Sequence, residues 1–171
     1  KYFVLYRNPI ETTVSLARMQ YRDTGRDPYS KEDSIQDWLR ENFVRTCIIH
    51  NIRHSILKYP NAEVYFFDFE YFIRNQKEFL DLFCEKFDLT HPKSIQEVDN
   101  DNSKASWLRK NPYWDKNIER KLRDYLLHQV SMSEELSMEL SLYDKISKKR
   151  FAVLDNSTFS QVPYNNSKYL N

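Results

Sequence analysis

A chain of 171 residues can bury one substantial core and is short enough to be one domain or part of one. Its 26 basic and 25 acidic residues nearly cancel, so no overall field favours nucleic acid or a membrane surface, and any anion site has to be local. One glycine, where average usage of about 7% would give around a dozen, excludes a phosphate-cradling loop of the G-x-x-x-x-G-K-[ST] kind within these residues.

The chain opens with Tyr2, Phe3, Val4, Leu5 and Tyr6, a β-branched and aromatic run with little alternation, as in a strand buried on both faces of a parallel sheet. Pro9 suits a first helical position, Asn8 before it can cap the free amides of that turn, and Ile10, Val14, Leu16, Ala17 and Met19 continue the helix. A strand ending at a helix N-terminus aims backbone amides and a positive dipole end at one spot, where anions bind. Arg7 occupies that spot, and the hydroxyl of Ser15, two turns on, can supply a further donor.

Residues 21–31 lack periodicity and contain Gly25 and Pro28, which predicts a surface loop. From Asp33 the apolar positions Ile35, Leu39, Phe43, Cys47, Ile52 and Ile56 predict one long amphipathic helix ending near Tyr59-Pro60. His50 and His54 lie four apart on it; without a third ligand they read as part of a polar face, and no metal is expected. Residues 63–69, EVYFFDF, predict a second strand, parallel to the first because the helices between leave room for a crossover. A helix follows with Phe79, Leu80, Leu82, Phe83 and Phe87 on its apolar face and Asn75 as cap. Cys47 and Cys84 both fall in apolar helical patterns and read as buried free thiols, so nothing demands an oxidising compartment.

Residues 90–112 are polar and broken, hence a loop. Two more helices are predicted over Trp114–Gln129 and Ser131–Leu154. Ser131 and Glu134 form a capping box for the second, and Leu136, Leu140, Tyr143, Ile146 and Phe151 are its buried stripe. The polar tail, residues 155–171, predicts irregular chain laid on the surface of the domain formed by residues 1–154. No run reaches the roughly 18 apolar residues of a membrane span and no signal-peptide pattern is present; the expected compartment is the cytoplasm, with the Golgi lumen or another compartment left open.

The segment R-N-P-I-E-T-T-V-S, Arg7 to Ser15 after a hydrophobic strand, resembles the 3′-phosphate-binding motif of the sulfotransferase family. Residues 69–72, F-E-Y-F, and 87–89, F-D-L, stand where that family has a Y-E-D-L strand end and an F-L-G-L helix end; Glu70 keeps the acid, and Phe69 replaces the hydroxylated aromatic. Arg109-Lys110-Asn111 stands near the place of the family's R-K-G triplet, and L-S-L-Y-D-K-I-S-K-K-R-F, residues 140–151, is similar to the last helix of many carbohydrate sulfotransferases.

The resemblance implies an α/β, P-loop-type three-layer fold with a parallel sheet flanked by helices, and 3′-phosphoadenosine 5′-phosphosulfate as sulfuryl donor. It implies Arg7 and Ser15 on the 3′-phosphate, with Asn8, Phe69, Arg109 and Lys110 as further donor contacts. The acceptor is a hydroxyl or amine, with a lean towards a saccharide, and no catalytic residue is assigned. The family's 5′-phosphosulfate loop and base would precede Lys1, so the expectation is the C-terminal portion of a longer enzyme. Two strands cannot sustain an α/β core, so partner strands are expected from a preceding segment or a second copy. Two other classes stay open: a different P-loop enzyme such as a small-molecule kinase, and a non-catalytic module of degenerate sulfotransferase fold.

Overall fold

The computed structural model describes residues 1–30, 34–94, 111–115 and 117–161. The chain is α/β, mostly helical, with a small three-stranded mixed sheet. In chain order come β1 (Tyr2–Tyr6), α1 (Pro9–Ala17), α2 (Ile35–Thr46), α3 (Ile48–Ile56), β2 (Glu63–Asp68) and α4 (Phe69–Arg74). They are followed by α5 (Gln76–Phe87), α6 (Ile118–Ser131), α7 (Glu134–Lys149), β3 (Phe151–Asp155) and α8 (Asn156–Gln161).

β2 is the central strand, parallel to β1 in the register Tyr6 to Asp68 and antiparallel to β3 in the register Phe67 to Phe151. Both predicted strands therefore form and pair in parallel, but β1 lies at the edge of the sheet with Tyr2 and Phe3 exposed, and is not buried on both faces as expected. The all-parallel sheet is corrected by β3, which the chain supplies itself from residues read as the end of a helix. The reason is Arg150, which turns into the left-handed region (φ 67°), ends α7 at Lys149, and releases Phe151 into extended backbone. Asp68 N–H then donates to the Arg150 carbonyl at 2.9 Å, joining the end of β2 to that turn.

Side chains leave the sheet on both faces, which is why neither strand alternates in polarity. On one face Tyr6, Val64, Phe66 and Leu154 pack with Ile49 and Ile56 of α3, Tyr143 and Ile146 of α7, and Phe159 of α8. On the other face Phe3, Phe67, Phe79, Phe83 and Phe87 form a run of rings with centroids 4.8–6.4 Å apart in edge, tilted and stacked pairs. Aromatic pairs at such spacings add about 0.5–1.5 kcal/mol beyond the area they bury. A third cluster, Val14, Tyr21, Leu39, Phe43, Ile118 and Leu126 among others, joins α1, α2 and α6 away from the sheet. Phe159 is fully buried, so the start of the expected irregular tail is a helix with a core anchor.

Several boundaries differ from expectation. The helix after β1 continues as a π turn over Arg18–Asp23 into the expected loop, with Tyr21 fully buried, and Gly25 at φ 74° makes the turn that follows. Asn111 holds this turn: its amide donates to the Tyr21 and Arg26 carbonyls at 2.7 and 2.9 Å. The helix expected from Trp114 begins at Ile118 and runs to Ser131, so the cap of α7 is Ser133, whose hydroxyl accepts from Leu136 N–H at 3.3 Å, and not Ser131. Asn75 stands at the N-cap of α5, but its amide donates back to the Tyr71 carbonyl and closes α4.

The long helix expected from Asp33 is two, broken at Cys47 (φ −78°, ψ 82°). The cause lies in α7. Glu139 is only 2% exposed, and its carboxylate accepts Ile49 N–H at 3.1 Å and His50 N–H at 2.9 Å, capping the first turn of α3 from outside the chain segment. The hydroxyl of Tyr6 donates to the same carboxylate from the end of β1. The carbonyls left at the end of α2 are taken by the Asn51 amide, which donates to Val44 and Arg45 at 3.0 Å each. Cys47, at the break, and Cys84, in α5, are both free and buried, as the pattern predicted.

Two guanidinium clamps fix α6 to α1. Arg123 donates to both oxygens of Glu11 at 2.7 and 2.9 Å, and Arg18 donates to both oxygens of Glu119 at 2.7 and 2.6 Å. The Arg123 hydrogen bond holds Glu11 below its ordinary pKa of 4.5, and the Arg18 hydrogen bond does the same for Glu119.

Removing the Glu139 carboxylate leaves two helix amides and a buried phenol without acceptors, so Glu139→Ala should cost about 3 kcal/mol and Tyr6→Phe about 1 kcal/mol in urea unfolding. Equal costs for the two would show that Tyr6 is the only bond that counts. The pH profile carries both signs. Stability from Glu11 and Glu119 is complete above pH 4.5 and is lost as pH falls below it. Burial raises the Glu139 pKa against the pull of its three hydrogen bonds, so its contribution is largest below pH 4.5 and fades as pH rises through its folded value. Unfolding titrations of Glu11→Gln and Glu139→Gln should each flatten one limb; an unchanged acid limb in Glu11→Gln would remove the clamp's role.

Candidate functional site

The parallel strands β1 and β2 end side by side, Tyr6 opposite Asp68, and each turns at once into a helix. In open α/β sheets this carboxyl end of parallel strands is where ligands bind. The local sequence explains both turns. Asn8 Oδ1 accepts from Ile10 N–H at 2.9 Å and Glu11 N–H at 3.3 Å, with Pro9 at the first helical position. Asp68 does the same for α4, accepting from Glu70 and Tyr71 N–H at 3.3 Å. Desolvation raises the Asp68 pKa, and the two amides it caps pull the other way.

Arg7, Asn8 and Phe69 come together here. The Arg7 guanidinium lies 5.3 Å from the centroid of the Phe69 ring, and its Nε donates to Glu70 Oε1 at 3.1 Å. Glu70 is shared, with its second oxygen 3.9 Å from Arg74. Arg7 is about a third exposed, and among the described residues only its Nε is engaged by an acceptor. Phe69 is thus a ring for a guanidinium at the head of α4, and Glu70 is the counter-ion that orders the arginine.

Ser15 stands about 10 Å further along the α1 axis, at a rise of about 1.5 Å per residue. It shares a stripe of α1 with Glu11 and Arg18, four residues before it and three after, between the two clamps to α6. The neighbouring hydroxyls are spoken for: Thr12 donates to the Asn8 carbonyl at 2.9 Å, and Thr13 to the Pro9 carbonyl at 2.8 Å and against Thr46 at 2.9 Å. The half-buried Ser15 hydroxyl makes no side-chain hydrogen bond among the described residues. Arg109 and Lys110 lie outside the described residues.

Sequence reasoning missed Tyr143, Lys148 and Arg150. Tyr143 is buried with its ring 5.4 Å from that of Tyr6, and Arg150 lies 4.9 Å over the Tyr71 ring. The L-Y and K-K-R of residues 140–150 were visible as a helix with a basic end, but nothing local marked that this end meets the end of β2. No group of three or more His, Cys, Asp or Glu side chains that could hold a metal occurs among the described residues, and none of their helices is long and apolar enough to cross a membrane.

The arrangement can hold an anion. A partly exposed guanidinium with unengaged N–H groups sits beside a capped helix start, with a neighbouring aromatic face and a single displaceable carboxylate. No family model, curated protein or solved structure matches this chain.

Because Asp68 caps α4 and Asn caps as well as Asp, Asp68→Asn should be nearly neutral in thermal unfolding at pH 7, whereas Asp68→Ala should cost about 1 kcal/mol. A cost for Asn equal to that for Ala would mean that the charge, and not the cap, is what the position requires.

Proposed function

We propose that Arg7 and Ser15 bind the 3′-phosphate of a nucleotide sulfuryl donor, 3′-phosphoadenosine 5′-phosphosulfate, and that the chain belongs to a sulfotransferase of P-loop-type three-layer fold. The observation that carries this reading is the pair of uncommitted donors at the two motif positions: Arg7 keeps its terminal N–H groups free of acceptors among the described residues, and Ser15, unlike Thr12 and Thr13, keeps its hydroxyl off the backbone. Further support comes from the place of Arg7, at the carboxyl end of a parallel strand, and from the spacing R-N-P-I-E-T-T-V-S itself.

In this reading the donor supplies an activated sulfuryl group. Arg7 exchanges Glu70 for a phosphate oxygen, Glu70 falls back to Arg74, and the Ser15 hydroxyl donates a second bond from the flank of α1. The Phe69 face, freed as Arg7 moves, is available to a purine, since stacking needs a ring face and no hydroxyl. These residues position the donor and take no part in bond making. An acceptor hydroxyl or amine attacks sulfur, the bond from sulfur to the phosphate oxygen breaks, and the acceptor's proton passes to a base that none of the assigned residues provides.

Calorimetric titration with 3′-phosphoadenosine 5′-phosphate, beside adenosine 5′-monophosphate, tests the assignment. The bisphosphate should bind at least about tenfold tighter, and Arg7→Ala and Ser15→Ala should each remove about tenfold or more of that preference. Equal binding of the two nucleotides, or indifference to Arg7→Ala, would overturn it.

A further inference from the structure

α4 with its two cap residues, the C-terminal half of α7 and the turn into β3 line an open cavity of about 420 Å³, which shares only Glu70 and Arg74 with the nucleotide reading. Its lining carries both cations and acceptors. Arg74, Lys148 and Arg150 supply three cations, and Asp68, Glu70 and the Tyr143 phenol supply acceptors.

None of the three cations is clamped by a carboxylate, although Arg150 lies over the Tyr71 ring at 4.9 Å. Arg74 is 3.9 Å from Glu70, and neither Lys148 nor Arg150 has a carboxylate partner among the described residues, whereas Arg18 and Arg123 are each clamped by both oxygens of a glutamate at 2.6–2.9 Å. Arg150 also stands in left-handed backbone (φ 67°) at a helix end where glycine is the usual residue.

An occupant that satisfies this lining has to bring both negative charge and hydrogen-bond donors. A small anion would satisfy the cations and be repelled by Asp68 and Glu70; a neutral sugar would do the reverse. The space is that of a ring-sized ligand and not of a single ion. We propose that this cavity binds a sugar acid, its carboxylate on Lys148 and Arg150 and its hydroxyls donating to Asp68 and Glu70. The assignment goes beyond the nucleotide reading and does not rest on it.

The test is titration of the chain with glucuronate, followed by amide chemical shifts, beside glucose and acetate, for the natural sequence, Lys148→Ala and Arg150→Gly. Arg150→Gly keeps the left-handed turn, so a native amide spectrum in that variant separates loss of binding from loss of fold. Saturable glucuronate binding is expected, at least tenfold tighter than for glucose or acetate and at least tenfold weaker in each variant. Acetate or glucose binding as tightly, no glucuronate response, or binding unchanged in both variants would overturn the proposal. No nucleotide enters the experiment, so its failure leaves the nucleotide titration to be judged alone.

Discussion

One buried carboxylate sets the relation of sheet to helices. Glu139 comes from α7, accepts two amides from α3 and one hydroxyl from the end of β1, and so joins three elements that are 133 residues apart at the extremes. A charge at 2% exposure is tolerable only when its lone pairs are filled, and here they are filled by groups that would otherwise be orphans themselves: helix-start amides and a buried phenol. Because Tyr6 is the residue immediately before Arg7, the same bond also fixes where the strand stops and the candidate site begins.

What was legible in the sequence was whatever depended on neighbours. Both parallel strands, the Pro9 helix with its Asn8 cap, the apolar faces of α5 and α7 and the two buried thiols follow from runs, caps and periods within a dozen residues. What was not legible depended on distant partners. The break at Cys47 has no glycine or proline to announce it, because its cause is Glu139, about 90 residues away. Phe151 keeps helical phase with Ile146 and Tyr143, and only pairing with β2 makes it a strand residue. Phe159, alone among polar residues, carries no period at all, yet is a core side chain once α8 folds against α3.

The candidate site divides in the same way. One motif singles out Arg7, Asn8 and Ser15, of which Arg7 and Asn8 stand at the strand end and Ser15 further along α1. The meeting of Arg7 with Phe69 and Glu70 could be anticipated only from two strands being parallel neighbours, which brings both carboxyl ends to one place. The basic end of α7 reaches the same end of the sheet through β3, the element that reading along the chain did not supply.

The two cysteines give the architecture a built-in clock. Cys47 is fully buried at the joint between α2 and α3, in the cluster that lies away from the sheet, and Cys84 is 3% exposed in α5. Cys47 has no exposed surface, and the same burial raises its thiol pKa, so alkylation waits on opening of the joint. The two labelling rates therefore time the opening of the α2–α3 joint and of α5. Their equality would mark a molecule that unfolds as one unit, and a faster Cys47 would mark the helical joint as the part that yields first.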